Sequence, residues 1–320
     1  MEAVSRGAVA SAAMSFFGPD HFETITDGLI FPEGPVMLED GSVAVVEIGR
    51  GTITRVDVAD GRKDILATPG GGPNGAALGP DGALYVCNNG GFEWITVRGR
   101  TVPGEVASDY TTGRVERIDL ETGEVDIVYA DVNGVSLKGP NDIMFDSTGG
   151  FWFTDHGKTR TRDRDRGGLY YAKADGSHIE EIAFPMDGPN GVGISPEEDR
   201  VYVAETFQGA MFAFDLEGPG KVAAGVPARG WFLARPAGRK YFDSLAMDAE
   251  GNVSVATILT GGISTFTRNG DELEFAPTDD SATTNICFGG DDMRTAYVTL
   301  SGTGRLAVGE WPRPGLKLPF

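Results

Sequence analysis

A chain of 320 residues, 40% of them hydrophobic, can bury the core of one large domain or two small ones. Its 47 acidic and 27 basic residues leave a formal charge of −20, which argues against nucleic acid and anionic membranes as partners. No apolar run is long enough to span a bilayer, so no membrane partner is expected.

Residues 1–20 read as an N-terminal extension and 21–320 as one domain. The opening stretch has an Ala-rich patch from Ala8 to Ala13, with Arg6 as its basic residue and no apolar h-region. It is therefore not read as a signal peptide, and the cytoplasm is the expected location. His21-Phe22-Glu23-Thr24-Ile25 is expected to supply an outer strand that pairs with the C-terminal unit and closes the ring, leaving fewer exposed edges. Short alternating strands then recur at Gly51–Val58, Gly113–Leu120, Gly168–Ala172, Gly209–Leu216 and Gly262–Thr267. Turn signals follow several of them, at Asp60-Gly61, Thr122-Gly123, Asp175-Gly176 and Asn269-Gly270. No segment keeps an apolar pattern at helical spacing. Cys87 and Cys287 both lie inside apolar strand-like runs and are expected as unbridged, buried small hydrophobes.

A phrase is repeated along the chain. Gly-Pro-Asn ends at Asn74, Asn141 and Asn190, each time opening a strand–turn–strand segment. The same segment returns behind Glu33, Asp243 and Asn285. The six lead residues are separated by 41, 67, 49, 53 and 42 positions. A period of about 40 to 50 residues matches a four-stranded propeller blade, so the expected fold is all-β, a six-bladed β-propeller. The long second gap implies an insertion near Glu93–Tyr110, and Gly218–Arg239 is a second long connection. With the first strand of each unit innermost, all six lead residues project into one end of the central channel. One oxygen-bearing side chain per blade makes a ring of oxygen donors, hence a metal site. A single Gly-Pro-Asn-Gly is an ordinary turn; three in register with Glu33 and Asp243 favour a metal.

These motifs resemble the senescence-marker-protein/regucalcin/gluconolactonase family over Phe31 to about Pro314. The resemblance rests on Phe31-Pro32-Glu33-Gly34-Pro35, Gly139-Pro140-Asn141-Asp142 with Phe151-Trp152-Phe153-Thr154-Asp155, Gly188-Pro189-Asn190-Gly191 with Tyr202-Val203-Ala204-Glu205-Thr206, and Phe242-Asp243 leading to Met247-Asp248. It implies one divalent cation in the channel, with Glu33, Asn190 and Asp243 as ligands and Asn141 as a ligand or a substrate contact. An all-oxygen set suits Ca²⁺ first, with Zn²⁺, Mn²⁺ or Mg²⁺ as alternatives. The implied reaction is hydrolysis of a small-molecule lactone, with Asp243 as ligand, general base or both. Asn74 and Asn285, the remaining lead residues, are read as substrate contacts along with Asn141.

Departures from the family pattern bear on the substrate. His156-Gly157 follow Asp155 where lactonases of the family commonly have Pro-Pro, and Asn285 stands where the related diisopropylfluorophosphatase has a channel-top histidine. Two readings of His156 stand side by side, proton transfer at the mouth or a loop histidine beside Lys158 and Arg160. The only basic run, Lys158–Arg166, either steers an anionic substrate or is a solvated loop with its own ion pairs. Phosphotriester hydrolysis and a non-catalytic calcium-binding propeller are the alternatives, and a strictosidine-synthase-like carbon–carbon bond former ranks last. The sequence says nothing of the oligomeric state.

Overall fold

The computed structural model describes residues 16–18, 20–236, 238 and 240–320. The Ala8–Ala13 patch and Arg239 lie outside them. Among the described residues there is no helix, and the strands form six antiparallel blades around a channel, five of four strands and the fourth with a short fifth strand, Lys221–Val222. Their innermost strands are Pro32–Met37, Pro73–Leu78, Pro140–Phe145, Pro189–Ile194, Tyr241–Met247 and Thr283–Gly289. Each touches the next, and the last returns to the first. The ring is closed by Glu23–Thr26, which pairs with Arg305–Glu310 as the outer strand of the sixth blade. That is the role expected of His21–Ile25, and it removes the free edge an open ring would leave.

Insertions fall where the spacing places them. Phe92–Val97 and Arg100–Val106 form a hairpin between the second and third strands of blade two. Gly218–Arg239 is more than a connection, because Trp231–Ala234 within it is the outer strand of blade four, paired to Ala210–Gly218.

Strand alternation sends one face of each blade toward each neighbour. The buried apolar residues accordingly fall into six clusters, one at each blade junction. Phe151 and Phe153 face blade two, for example, while Trp152 between them faces blade four. Near the axis the inner strands approach closely, and glycine follows the lead residue in three blades, at Gly34, Gly75 and Gly191. A Cβ on Gly191 would stand 2.7 Å from the Asp243 carbonyl oxygen and 2.8 Å from the Leu245 nitrogen. Cys87 and Cys287 are both unbridged; Cys87 is buried and Cys287 partly so.

Candidate active site at the channel mouth

Each inner strand begins with the same irregularity. Register shifts occur at Glu33/Val36, Pro73/Ala76, Pro140/Ile143, Pro189/Val192, Phe242/Leu245 and Thr283/Asn285. A bulge re-aims a side chain out of the alternating pleat, and here it does so at the lead residue of every blade. Prolines precede four of the six, where a strand's first residue needs no ladder donor. The other end of the pairing fixes which face this is. Asn88, Asp155 and Glu205 close the second strands opposite Pro73, Pro140 and Pro189, so the loops that follow them surround the same mouth.

Those closing residues anchor the mouth. The connection entering each of blades one to four donates a backbone N–H to its buried acceptor: Ile30 to Glu47 (2.7 Å), Gly72 to Asn88 (2.9 Å), Gly139 to Asp155 (2.7 Å) and Asp187 to Glu205 (2.8 Å). These are structural posts; their lone pairs are spent on backbone and, at Glu47 and Glu205, on Arg50, Thr54 and Arg229.

The lead residues divide by role. Glu33 is buried, and its Oε2 accepts from its neighbour Gly34 N (2.6 Å) and from Asn285 Nδ2 (2.7 Å). Asn285 Oδ1 meanwhile accepts from Ile286 N at 2.7 Å, so its amide positions Glu33 and is largely occupied in doing so. Asn190 Nδ2 donates to Thr206 Oγ1 (3.1 Å), which in turn donates to the Phe242 carbonyl (2.8 Å), and Ser244 Oγ donates to Asn190 Oδ1 at 3.4 Å. Asn74 is buried at the same level. Asn141 Oδ1 is buried and accepts no hydrogen bond, a costly state for an amide oxygen unless something else occupies it. Asp243 is partly exposed toward the mouth.

A third carboxylate joins Glu33 and Asp243. Asp142 Oδ1 accepts from Ile143 N (3.0 Å) and Oδ2 from Val192 N (3.2 Å). Burial, then repulsion from Glu33, pushes its carboxyl up to about 8. Burial likewise raises Glu33, and Asp243 is raised by burial, by Glu33 and by Asp142. No Lys or Arg acts on any of the three. Sequence reasoning passed over Asp142. The signal was its place after the lead residue, where Gly34, Gly75 and Gly191 stand in three other blades.

Among the described residues no three His, Cys, Asp or Glu side chains converge as a metal cluster by themselves. The donor set is mixed: carboxylates of Glu33 and Asp243 with amides of Asn190 and Asn141. Like-charged carboxylates without a cationic partner, beside an orphaned amide oxygen, fit a divalent hard cation.

His156 is partly buried over the Gly188-Pro189-Asn190 turn. Its Nε2 lies 3.1 Å from where a Cβ on Gly188 would stand, and its ring packs on Phe207 at 5.1 Å between centroids. Burial, with Lys158 and Arg164 nearby, lowers it to about 4, so the ring is neutral at neutral pH. Lys158 is no solvated residue of a basic run. It is buried, donating to Gly91 O (2.8 Å) and Asn89 Oδ1 (3.1 Å) beneath the base of the hairpin, with Nζ 3.9 Å from the Phe92 ring centroid. The loop aromatics do not converge. Phe92 and Trp94 pack toward Phe31, whereas Trp231 and Phe232 are exposed on blade four's outer strand.

The model of the SMP-30/Gluconolactonase/LRE-like region matches residues 31–302. The gluconolactonase of Zymomonas mobilis is 23% identical over 309 residues, covering 87% of this chain and 78% of that protein. Lactonase drp35 of Staphylococcus saprophyticus is 26% identical over 244 residues, 75% of this chain and 68% of its own. The diisopropyl-fluorophosphatase of Loligo vulgaris is 24% identical and covers 92% and 94% of the two chains. Among solved structures, a calcium-binding regucalcin from Agrobacterium tumefaciens superposes with a TM-score of 0.71 at 17% identity, over 94% of this chain and 98% of that one. At that identity the superposition shows the six-bladed fold alone.

Proposed function

The chain belongs to the SMP-30/gluconolactonase/LRE-like family, and on that footing we propose that it hydrolyses a lactone with one divalent cation, Ca²⁺ foremost, in the channel mouth. Glu33, Asn190 and Asp243 would hold the ion, with Asn141 as a further ligand or substrate contact. The observation that carries this reading is the set of three mutually repelling carboxyls, Glu33 and Asp142 buried and Asp243 half-buried, none in an ion pair with Lys or Arg among the described residues, beside the unsatisfied Asn141 Oδ1. When bound, the ion supplies a Lewis acid for the ester carbonyl. The chain's own residues do the rest. Asp243, open to the mouth, takes the proton of the attacking water. His156, neutral and beside the Asn190 turn, accepts or relays a proton at Nε2. Asn285 keeps Glu33 aimed at the axis. The enclosing loops limit water at the reacting ester.

A pH-indicator assay on a lactone panel, after chelator stripping and re-addition of Ca²⁺, Zn²⁺, Mn²⁺ or Mg²⁺, tests the reading. Turnover restored by one ion is expected, together with a melting temperature that rises with that ion's concentration. Absence of turnover on any lactone by protein that binds calcium would overturn it. The second reading is then a phosphotriester or P–F bond, favoured by the near-complete coverage of the Loligo vulgaris relative. Asn285 in place of a channel-top histidine weighs against it. Protein that binds calcium and turns over neither class would be a binding propeller. Among the described residues no helix is long and apolar enough to cross a membrane.

A further inference from the structure

The loop between the second and third strands of blade three carries Lys158, Arg160, Arg162, Arg164 and Arg166 against only Asp163 and Asp165. Arg160 takes up both acids, holding Asp165 through two bonds of 3.0 and 2.9 Å and pairing with Asp163. Arg164 and Arg166 share one carboxylate, that of Asp187. Arg164 and Arg166 both lean on its Oδ1, at 2.5 and 3.0 Å, yet that oxygen accepts no aligned hydrogen bond. Asp187 Oδ2 accepts from Gln208 Nε2 at 3.0 Å. Glu205, the next acid on this wall, is spent on Arg229 at 2.7 and 2.8 Å. So in a chain of charge −20 this part of the mouth sets two guanidinium groups against one shared carboxylate, and the two forks keep N–H donors unassigned.

Their position is also set. The Arg164 guanidinium lies 4.2 Å from the Phe207 ring centroid, and Phe207 packs on His156. Arg166 precedes Gly167, where a Cβ would stand 2.4 Å from Pro189 Cδ, so Arg166 enters the wall directly beside the Pro189-Asn190 turn. Stacking on an aromatic face pre-orders a guanidinium at little entropic cost. Two such forks side by side match the geometry of a carboxylate, phosphate or sulfonate.

Resting on the lactonase reading above, we propose that Arg164 and Arg166 form a subsite for an anionic substituent of the substrate, so that the lactone carries an oxyanion group away from its ester. Asp187 sets the two forks and leaves them with net positive charge. The anion is held over blades three and four, beside His156, where Asp187 is the carboxylate shared by both forks.

The test compares a neutral aldonolactone with the corresponding aldarolactone, which differs by one carboxylate. Calcium-loaded wild type is expected to favour the aldarolactone by about tenfold or more in kcat/KM at low ionic strength, the scale of a charge-assisted hydrogen bond. The preference shrinks with added salt. Arg164→Gln with Arg166→Gln removes it, whereas Arg55→Gln with Arg62→Gln, the same loss of two charges at the far strand ends of blade one, retains it. Equal or better turnover of the neutral lactone by wild type, or an unchanged ratio in the double variant, overturns the proposal. If wild type opens neither of these two lactones, binding decides the subsite. Calorimetry with the ring-opened aldarate and aldonate then shows an aldarate preference lost in the double variant, or shows none and overturns the subsite as well.

Discussion

The channel has two halves built from the same six strands. The mouth half carries Glu33, Asn141, Asn190 and Asp243, polar groups whose mutual arrangement costs stability in the absence of a partner. A few residues further along the strands, Val36, Met37, Ile143, Met144, Leu245, Met247 and Phe288 line an apolar cavity of about 250 Å³. The C-terminal segment stops its far end: Leu316 N donates to Met247 O at 2.9 Å, and Phe320 packs edge-on to Phe145 at 6.0 Å. Asp142 and Asn285 border both halves. The difference shows how a propeller separates its tasks. The strand ends hold chemistry because the bulges turn side chains inward there, and the strand bodies hold the ring together.

If the mouth half is the catalytic half, its carboxylates should dominate every other position in kinetic effect. Asp243→Asn keeps the size of the side chain and removes both its charge and its basicity. An activity loss of about 10² to 10⁴ is expected, the usual range for a lost general base, with calcium affinity falling too. Near-normal turnover in a folded, calcium-loaded variant would end the assignment.

Two glycines on one strand test the division directly. Gly191→Ala places a methyl against the backbone of the next blade, which cannot yield, while Gly193→Ala meets Leu245 Cδ1 at 2.6 Å and Met247 Cγ at 3.2 Å, both flexible side chains. The first is expected to lose about 1–3 kcal/mol of stability, the usual cost of overpacking, and to weaken calcium binding by displacing Asp243. The second should cost less and leave calcium binding alone. Denaturant titrations with and without calcium check both, and equal effects would mean the two halves are not separable.

The sequence made the blades legible because each repeats one phrase, and a repeat is visible without any contact information. The same spacing showed an insertion near Glu93–Tyr110, which is the blade-two hairpin. The site was legible only as far as the repeat reached. Asp142 was hidden because it breaks the pattern instead of keeping it. Asn285 keeps the pattern, yet turns to Glu33, a neighbour 252 positions away in the chain. Lys158 was hidden by composition: five basic residues within nine positions look like a solvated loop, and only the fold shows that the first of them is buried under the hairpin.

The C-terminal stopper belongs to the apolar half, so its removal should affect stability and leave the chemistry intact. Deleting residues 316–320 uncovers part of the cavity and is expected to cost about 2 kcal/mol, the burial energy of roughly one large apolar side chain. The melting temperature falls by a few degrees, and a hydrophobic dye gains a binding site while lactone turnover per folded molecule is maintained. Collapse of turnover in the folded truncated protein would join the two halves functionally.

The smallest effect expected lies at Lys158, a buried charge beneath the mouth loops. Burial lowers it from the ordinary 10.5 to about 7, with Asp155 and Asp165 opposing that shift. Between those two values the unfolded chain binds the proton and the folded chain does not, so stability rises with pH across the window. Below pH 7 both states are protonated, and the cost of the buried ammonium is constant. Lys158→Met removes the proton and also the bonds to Asn89 and Gly91, so its overall stability is not the readout; the slope is. The stability of wild type relative to Lys158→Met should increase by about 1 kcal/mol from pH 7 to pH 8, on the scale of 1.36 kcal/mol per fully displaced proton. Parallel pH profiles for the two proteins would mean that Lys158 keeps an ordinary affinity for its proton, and that the mouth loops admit enough water to solvate it.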